Sequence, residues 1–253
     1  MKKIVSIALC VVLAAVMLTG CISVYGPGAL GRGTWGRGVC GRGNLETYTF
    51  DVGEIKEVKV SLLCDILYYS EPSDSVTLEI QPNLMKHVVV EESGGLLTVR
   101  TTRNIHWSGN TRTPVLRIST PSLSRVSHAG AGSFRTIDPI NTDTFSLSLA
   151  GATNNRAILD VDNLSVNMSG AGDINLSGRA DIADIDIAGA GRMNALDLQT
   201  RDTRINMSGV GSVKIDCIES LRVIAAGVGD VEYTGSPAID ISRGGLVTVR
   251  NVG

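Results

Sequence analysis

Residues 185–193 read Ile-Asp-Ile-Ala-Gly-Ala-Gly-Arg-Met. The same pattern stands at 166–174 (Val-Asn-Met-Ser-Gly-Ala-Gly-Asp-Ile), 205–213 (Ile-Asn-Met-Ser-Gly-Val-Gly-Ser-Val) and 223–231 (Val-Ile-Ala-Ala-Gly-Val-Gly-Asp-Val). A Gly-x-Gly tandem therefore occurs at Gly130/Gly132, Gly170/Gly172, Gly189/Gly191, Gly209/Gly211 and Gly227/Gly229, and Gly151 heads a degenerate copy in which Thr153 replaces the second glycine. The spacings of 21, 19, 19, 20 and 18 residues make a repeat of about 19 residues.

Four residues before the first glycine stand Val126, Leu147, Val166, Ile185, Ile205 and Val223; two before it stand His128, Leu149, Met168, Ile187, Met207 and Ala225. Beyond the tandem, Phe134, Asn155, Ile174, Met193, Val213 and Val231 form one series, and Thr136, Ala157, Leu176, Ala195, Ile215 and Tyr233 another. The residues between them are mostly polar. Period-two alternation on both sides of a glycine corner predicts half-buried strands meeting at a tight turn, with both glycines of each tandem as turn residues. Glycine is required there by positive φ or by close backbone approach. Coils stacked in register place apolar ladders inside and Asn, Asp and Ser ladders outside, each coil covering its neighbour's face. The architecture predicted is an all-β parallel β-solenoid with coils of two or three strands. A sandwich of hairpins would call for Asn-Gly or Asp-Gly turns, which the repeat lacks.

Outward from the repeat, the first folded half (46–120) reads as irregular β-structure ahead of the repeat coils (121–253). Its β-rich runs are Glu57–Val60, Ser75–Ile80 and Val88–Val90, the last leading through Ser93-Gly94-Gly95 to Leu96–Val99. Only Asn83 to His87 suggests a helical turn. The polar stretch Arg103–Thr113, with His106 and Trp107, reads as a loop. In the last coil Arg243-Gly244-Gly245 replaces the tandem, which predicts a cap.

Met1-Lys2-Lys3 followed by the apolar run Ile4–Leu18 has the charge and length of an export leader, residues 1–20. Leu18-Thr19-Gly20-Cys21 matches a bacterial lipobox, which makes Cys21 the predicted lipid attachment site. Two or more acyl chains hold a protein stably on a membrane where one does not. Ile22, not Asp, follows the cysteine, which points to the outer membrane in a double-membrane bacterium. Residues 21–45 read as a tether: Gly-Arg-Gly recurs at 31, 36 and 41, too poor in apolar surface to bury a core. Its formal G-x-G-x-x-G matches lack the strand and helix that a dinucleotide site needs.

Composition narrows function. Lys2 and Lys3 leave with the leader, taking the basic count from 23 to 21 against 25 acidic residues, which argues against nucleic acid as a partner. Cysteines stand at 10, 21, 40, 64 and 217; the last three have no metal-like spacing. His87, His106 and His128 are scattered, and no His-x-x-x-His, Cys-x-x-Cys or Gly-x-Ser-x-Gly occurs. No catalytic residue, cofactor or metal site is assigned; Asp181, Asp184 and Asp186 read as a solvated face ahead of a calcium or lyase site. His128 reads as a core or capping histidine.

Across roughly 45–253 the sequence resembles the auto-transporter adhesin head GIN family, a domain of unknown function found in exported proteins and lipoproteins. Ser169-Gly-Ala-Gly172, Ala188-Gly-Ala-Gly191, Ser208-Gly-Val-Gly211 and Ala226-Gly-Val-Gly229 carry the resemblance, with the run from Phe50 to Val99. It implies a two-sheet parallel β-helix similar to pectin-lyase-like folds without their catalytic residues, and a role in adhesion. Three readings follow: a non-enzymatic surface module binding glycan or protein, a periplasm-facing structural or signalling-accessory lipoprotein, and a carbohydrate-active enzyme. Self-association into a homo-oligomer is a further expectation.

Overall fold

The computed structural model describes residues 37–253, apart from 103, 104 and 108–110. The leader, Cys21 and the first part of the Gly/Arg stretch lie outside the described residues.

The first half contributes β1 (Arg37–Val39), β2 (Glu46–Phe50), β3 (Glu57–Ser61), β4 (Cys64–Tyr69), β5 (Ser75–Ile80), a short helix α1 (Pro82–Met85), β6 (Val88–Ser93), β7 (Leu96–Thr101), β8 (Ile105–Trp107) and β9 (Val115–Ser119). The second half contributes β10 (Arg125–His128), β11 (Ala131–Thr136), β12 (Ile140–Leu149), β13 (Ala152–Met168), β14 (Ala171–Ile187), β15 (Ala190–Met207), β16 (Val210–Ala225), β17 (Val228–Thr234), β18 (Ala238–Arg243) and β19 (Leu246–Asn251). The strands stack in parallel register as a β-solenoid of about 7 turns.

Between one tandem and the next the ladder does not break, so each coil runs as a single strand of 16 to 18 residues from β13 to β16. That differs from the expectation of separate short strands. The chain turns by slipping its alternation, as at Asp162 and Asn163 of β13, which are exposed in succession. Both are short polar residues and need no burial. A further bend uses Gly178, whose φ of +106° favours glycine and whose absent side chain leaves room for the Leu159 carbonyl.

The tandem glycines serve mainly close approach. A Cβ on Gly170 would meet the carbonyl oxygen of Gly151, one on Gly189 that of Gly170, one on Gly209 that of Gly189 and one on Gly227 that of Gly209, all inside 3.0 Å. The backbone of each coil therefore rests on the backbone of the coil below. The second glycine of each tandem departs from the expectation of a turn residue. Gly132 is a strand residue of β11, paired in parallel register with Cys64 of β4 on one side and Thr153 of β13 on the other. Its counterparts Gly172, Gly191, Gly211 and Gly229 likewise lie inside β14, β15, β16 and β17. The chain has finished turning one residue earlier, and the ladder resumes at once. Gly132 still has to be glycine: its φ is +126°, and a Cβ there would strike the Cys64 carbonyl oxygen.

Both inward ladders before the tandem are buried at every step from Val126 and His128 to Val223 and Ala225, and so are the two beyond it. Burying each Val, Leu or Ile side chain contributes about 1.5–3 kcal/mol, which offsets a glycine-rich, entropically costly chain. Asn155 and Thr153 form a polar exception inside this core. Asn155 Nδ2 donates to Thr153 Oγ1 at 3.0 Å, and its Oδ1 accepts from Phe134 N at 3.1 Å. The degenerate corner thus carries a satisfied pair rather than a gap.

The solenoid begins before the glycine repeat does. β10 pairs with β3 and β11 with β4, while β7 and β9 stack on the far side of that coil. Antiparallel additions follow: β5 on β9, β2 on β5, and β6 on β7 through Gly94 and Gly95. Two expectations change. The stretch Arg103–Thr113 contains a strand, β8, which pairs in parallel with β1 from the Gly/Arg stretch. Gly41 N then donates to Thr111 Oγ1, and Arg42 N to Asn83 Oδ1, so residues 37–42 lie against the fold. The last coil is not a cap: Ile239 and Ile241 occupy inward positions above Leu221 and Val223, yet are exposed, with no further coil over them among the described residues.

Candidate functional site: a polar ladder at a bulge

The registers are regular until β15. Asn175 pairs with Asn194, but Ser177 pairs with Asp197, so β15 carries one extra residue there. Against β16 the irregularity grows: Ala195 pairs with Ile215 and Gln199 with Asp216, leaving Leu196, Asp197 and Leu198 unopposed. Such bulges bend a strand and re-aim its side chains. Leu198 stays buried, Leu196 is half-buried and Asp197 points out.

Two open depressions flank the bulge. One, of about 360 Å³, is lined by Asp173, Asn175, Arg192, Asn194, Leu196, Ser212 and Lys214. The other, of about 390 Å³, is lined by Arg156, Ile158, Asn175, Ser177, Asn194 and Asp197. Each lies within the size range of small-ligand sites. Asn175 and Asn194 belong to both, which makes one continuous groove along the outer ladder Arg156–Asn175–Asn194–Lys214. Successive rungs repeat about every 4.8 Å.

The charges are locally fixed. Arg192 grips Asp173 through two nitrogens at 3.1 and 3.3 Å, and this pairing pushes the guanidinium pKa up. Lys214 lies 2.8 Å from Glu232, which Arg250 approaches from the next coil. The two cations hold the Glu232 carboxyl below the usual range. Arg135 and Arg156 sit side by side in adjacent coils, and no ion pair to either is found among the described residues. The groove thus offers carboxamides, two hydroxyls, carboxylates and cations around a half-buried leucine. It can hydrogen-bond a polyol or an amide.

The other residues singled out by sequence fall elsewhere. Asp181 is held by Arg179 at 2.7 Å, Asp186 accepts from Asn206 at 2.7 Å, and Asp184 stands between Ser165 and Arg204 in an outer ladder. Among the described residues no three His, Cys, Asp or Glu side chains gather as a metal site. His128 is fully buried, with Nε2 3.4 Å from the Leu62 carbonyl and Nδ1 lacking a partner; burial pushes its pKa down. Trp107 is half-buried and packs against the core. Cys64 and Cys217 are buried free thiols, and burial pushes the Cys64 pKa up to about 12. Gly178 and the bulge were not singled out from sequence, although the bulge leaves a trace in the tandem spacings, which change from 19 to 20 and then 18 across it.

Solved structures share this architecture. A crystal structure described as a putative adhesin from Bacteroides fragilis superposes with a TM-score of 0.79 at 24% identity, covering 85% of this chain and 100% of that one. One described as a putative adhesin from Parabacteroides merdae gives 0.64 at 22%, covering 85% and 99%. Another, described as a putative lipid binding protein from Parabacteroides distasonis, gives 0.63 at 20%, covering 85% and 97%. At these identities the likeness is one of fold. No curated protein matches the chain. Residues 54–237 match the family described as "Putative auto-transporter adhesin, head GIN domain", and the chain belongs to that family.

Proposed function

We propose that this chain is an exported, lipid-anchored envelope protein that binds a glycan or protein ligand through its outer polar ladder, without catalysing a reaction. The observation that carries the reading is the continuous groove along Arg156, Asn175, Asn194 and Lys214, opened by the bulge of β15. Planar carboxamides beside cations and a half-buried apolar side chain suit the hydroxyls and ring faces of a sugar chain, and a ladder repeated in every coil suits an extended ligand. Structural neighbours and family are named for adhesion or lipid binding rather than for enzymes. The anchor rests on Leu18-Thr19-Gly20-Cys21.

A panel of immobilised glycans and envelope polysaccharides, probed with the protein, tests the ligand class. The expected result is binding that falls at least tenfold in Asn175→Ala/Asn194→Ala and is unchanged in Asp184→Asn/Asp186→Asn. Binding indifferent to the asparagine pair removes the groove from the account. Radiolabelled fatty acid tests the anchor: label incorporated by the wild type and absent from Cys21→Ala is expected, and label retained by that variant contradicts it.

A further inference from the structure

Exposed apolar side chains are distributed unevenly along the solenoid. Among the described residues the large ones that stand out are Ile137, Ile182, Val210, Ile218, Val228, Ile239, Ile241, Leu246 and Val252, so seven of these nine follow residue 209. Val210, Val228 and Leu246 stack on one another along the outside of the corner in the last three coils. Ile239 and Ile241, 44% and 40% exposed, continue inward ladders whose previous members, Leu221 and Val223, are 1% and 0% exposed. Among the described residues β18 and β19 each pair along one edge only, with β16 and β17. Their free edges carry unpaired backbone donors and acceptors, the usual template for strand addition.

We propose that this end of the solenoid is the interface of a two-fold symmetric homodimer, in which β18 pairs antiparallel with β18 of a second copy. The opposite end does not match it. There the inward residues Val76, Leu78 and Ile80 of β5 and Leu84 of α1 are fully buried, and no large apolar side chain before Ile137 is exposed among the described residues. Among the described residues the apolar counterpart of this end is the same end of another molecule, which makes the contact isologous and closed rather than fibrous.

The sequence of β18 fits such a pairing in one register. Residues directly opposite in an antiparallel ladder share a face, so inward Ile239 and Ile241 must oppose inward residues. Centring on Asp240 would bring two carboxylates together, and centring on Ile239 would set Ile241 opposite Pro237, which lies outside β18 and has no N–H to give the ladder. Centring on Ile241 sets it against Ile241 of the partner subunit and sets Asp240 opposite Ser242 of the partner subunit. In this register Arg243, also at an inward position, falls opposite Ile239 of the partner subunit at the end of the paired stretch, where its long stem can cover apolar surface while the charge reaches solvent.

Analytical ultracentrifugation of the full chain in detergent tests the proposal, with Ile241→Lys as the disrupting variant and Ile182→Lys as the control, and circular dichroism confirming that each is folded. The expected result is a dimer whose dissociation constant rises at least tenfold in Ile241→Lys and is unchanged in Ile182→Lys. Ile241→Cys in a Cys40→Ser background should form a disulfide-linked dimer on oxidation, because position 241 lies on the two-fold axis. A monomeric wild type, or a dimer unaffected by Ile241→Lys and uncrosslinked through position 241, overturns it.

Discussion

Replacing Gly189 with alanine drives a methyl carbon into the carbonyl oxygen of Gly170, a backbone atom that cannot rotate aside. The expected cost is about 1–3 kcal/mol, the scale of overpacking in a closed interior, read as a lowered midpoint in chemical denaturation. Gly244→Ala is the control, since nothing lies within 4 Å of its added carbon. His128 gives a pH signature. Burial lowers its pKa in the fold, so below the ordinary value of 6.5 the unfolded chain binds a proton that the native chain refuses. Stability is therefore complete above that pH and is lost as pH falls through it, and His128→Gln should flatten this part of the profile. Glu232, with its pKa lowered from 4.5, contributes in a separate window: its share is present above 4.5 and lost as pH falls further. The need for glycine in the tandem was legible from sequence, and so was the inward position of His128. The place of Gly132 inside β11 was not, because a positive φ within a paired strand leaves the same residue pattern as one in a turn. Nor was the unpartnered Nδ1 of His128, which depends on which carbonyls line a pocket built from distant residues.

Two elements show how far a repeat predicts its own exceptions. In β13, Thr153 reads from the repeat only as a missing glycine; together with Asn155 it forms a buried hydrogen-bonded pair that also holds the Phe134 amide. Asn155→Leu should cost about 1–3 kcal/mol, because it leaves a buried amide without its acceptor; thermal unfolding of the variant measures this. In β15 the longer spacing records an inserted residue, but periodicity carries no information about where a strand bulges. That was decided by which side chains could leave the ladder: Asp197 gains solvent, Leu198 remains in the core, and Leu196 roofs the groove. Arg103–Thr113 was legible only as polar. Its strand exists because a partner strand arrives from residues 37–39, a long-range pairing that local pattern does not encode.

At the scale of the whole molecule, the solenoid follows from one physical constraint: a 19-residue coil buries its inner face only against another coil. The antiparallel strands of the first half close one end, and the uncovered inward isoleucines mark the other. Cys64 and Cys217, far apart in sequence, sit as separate buried thiols, so a thiol reagent should label neither in the native protein and both once it is unfolded. A contact role requires the coils to face the outside, and protease shaving of intact cells measures this directly. The account predicts that an antibody against the last coils loses its signal while a periplasmic marker survives, and that Cys21→Ala releases the protein from the membrane fraction. Coils that stay protected until the outer membrane is opened would contradict surface adhesion and place the binding ladder toward a partner inside the envelope.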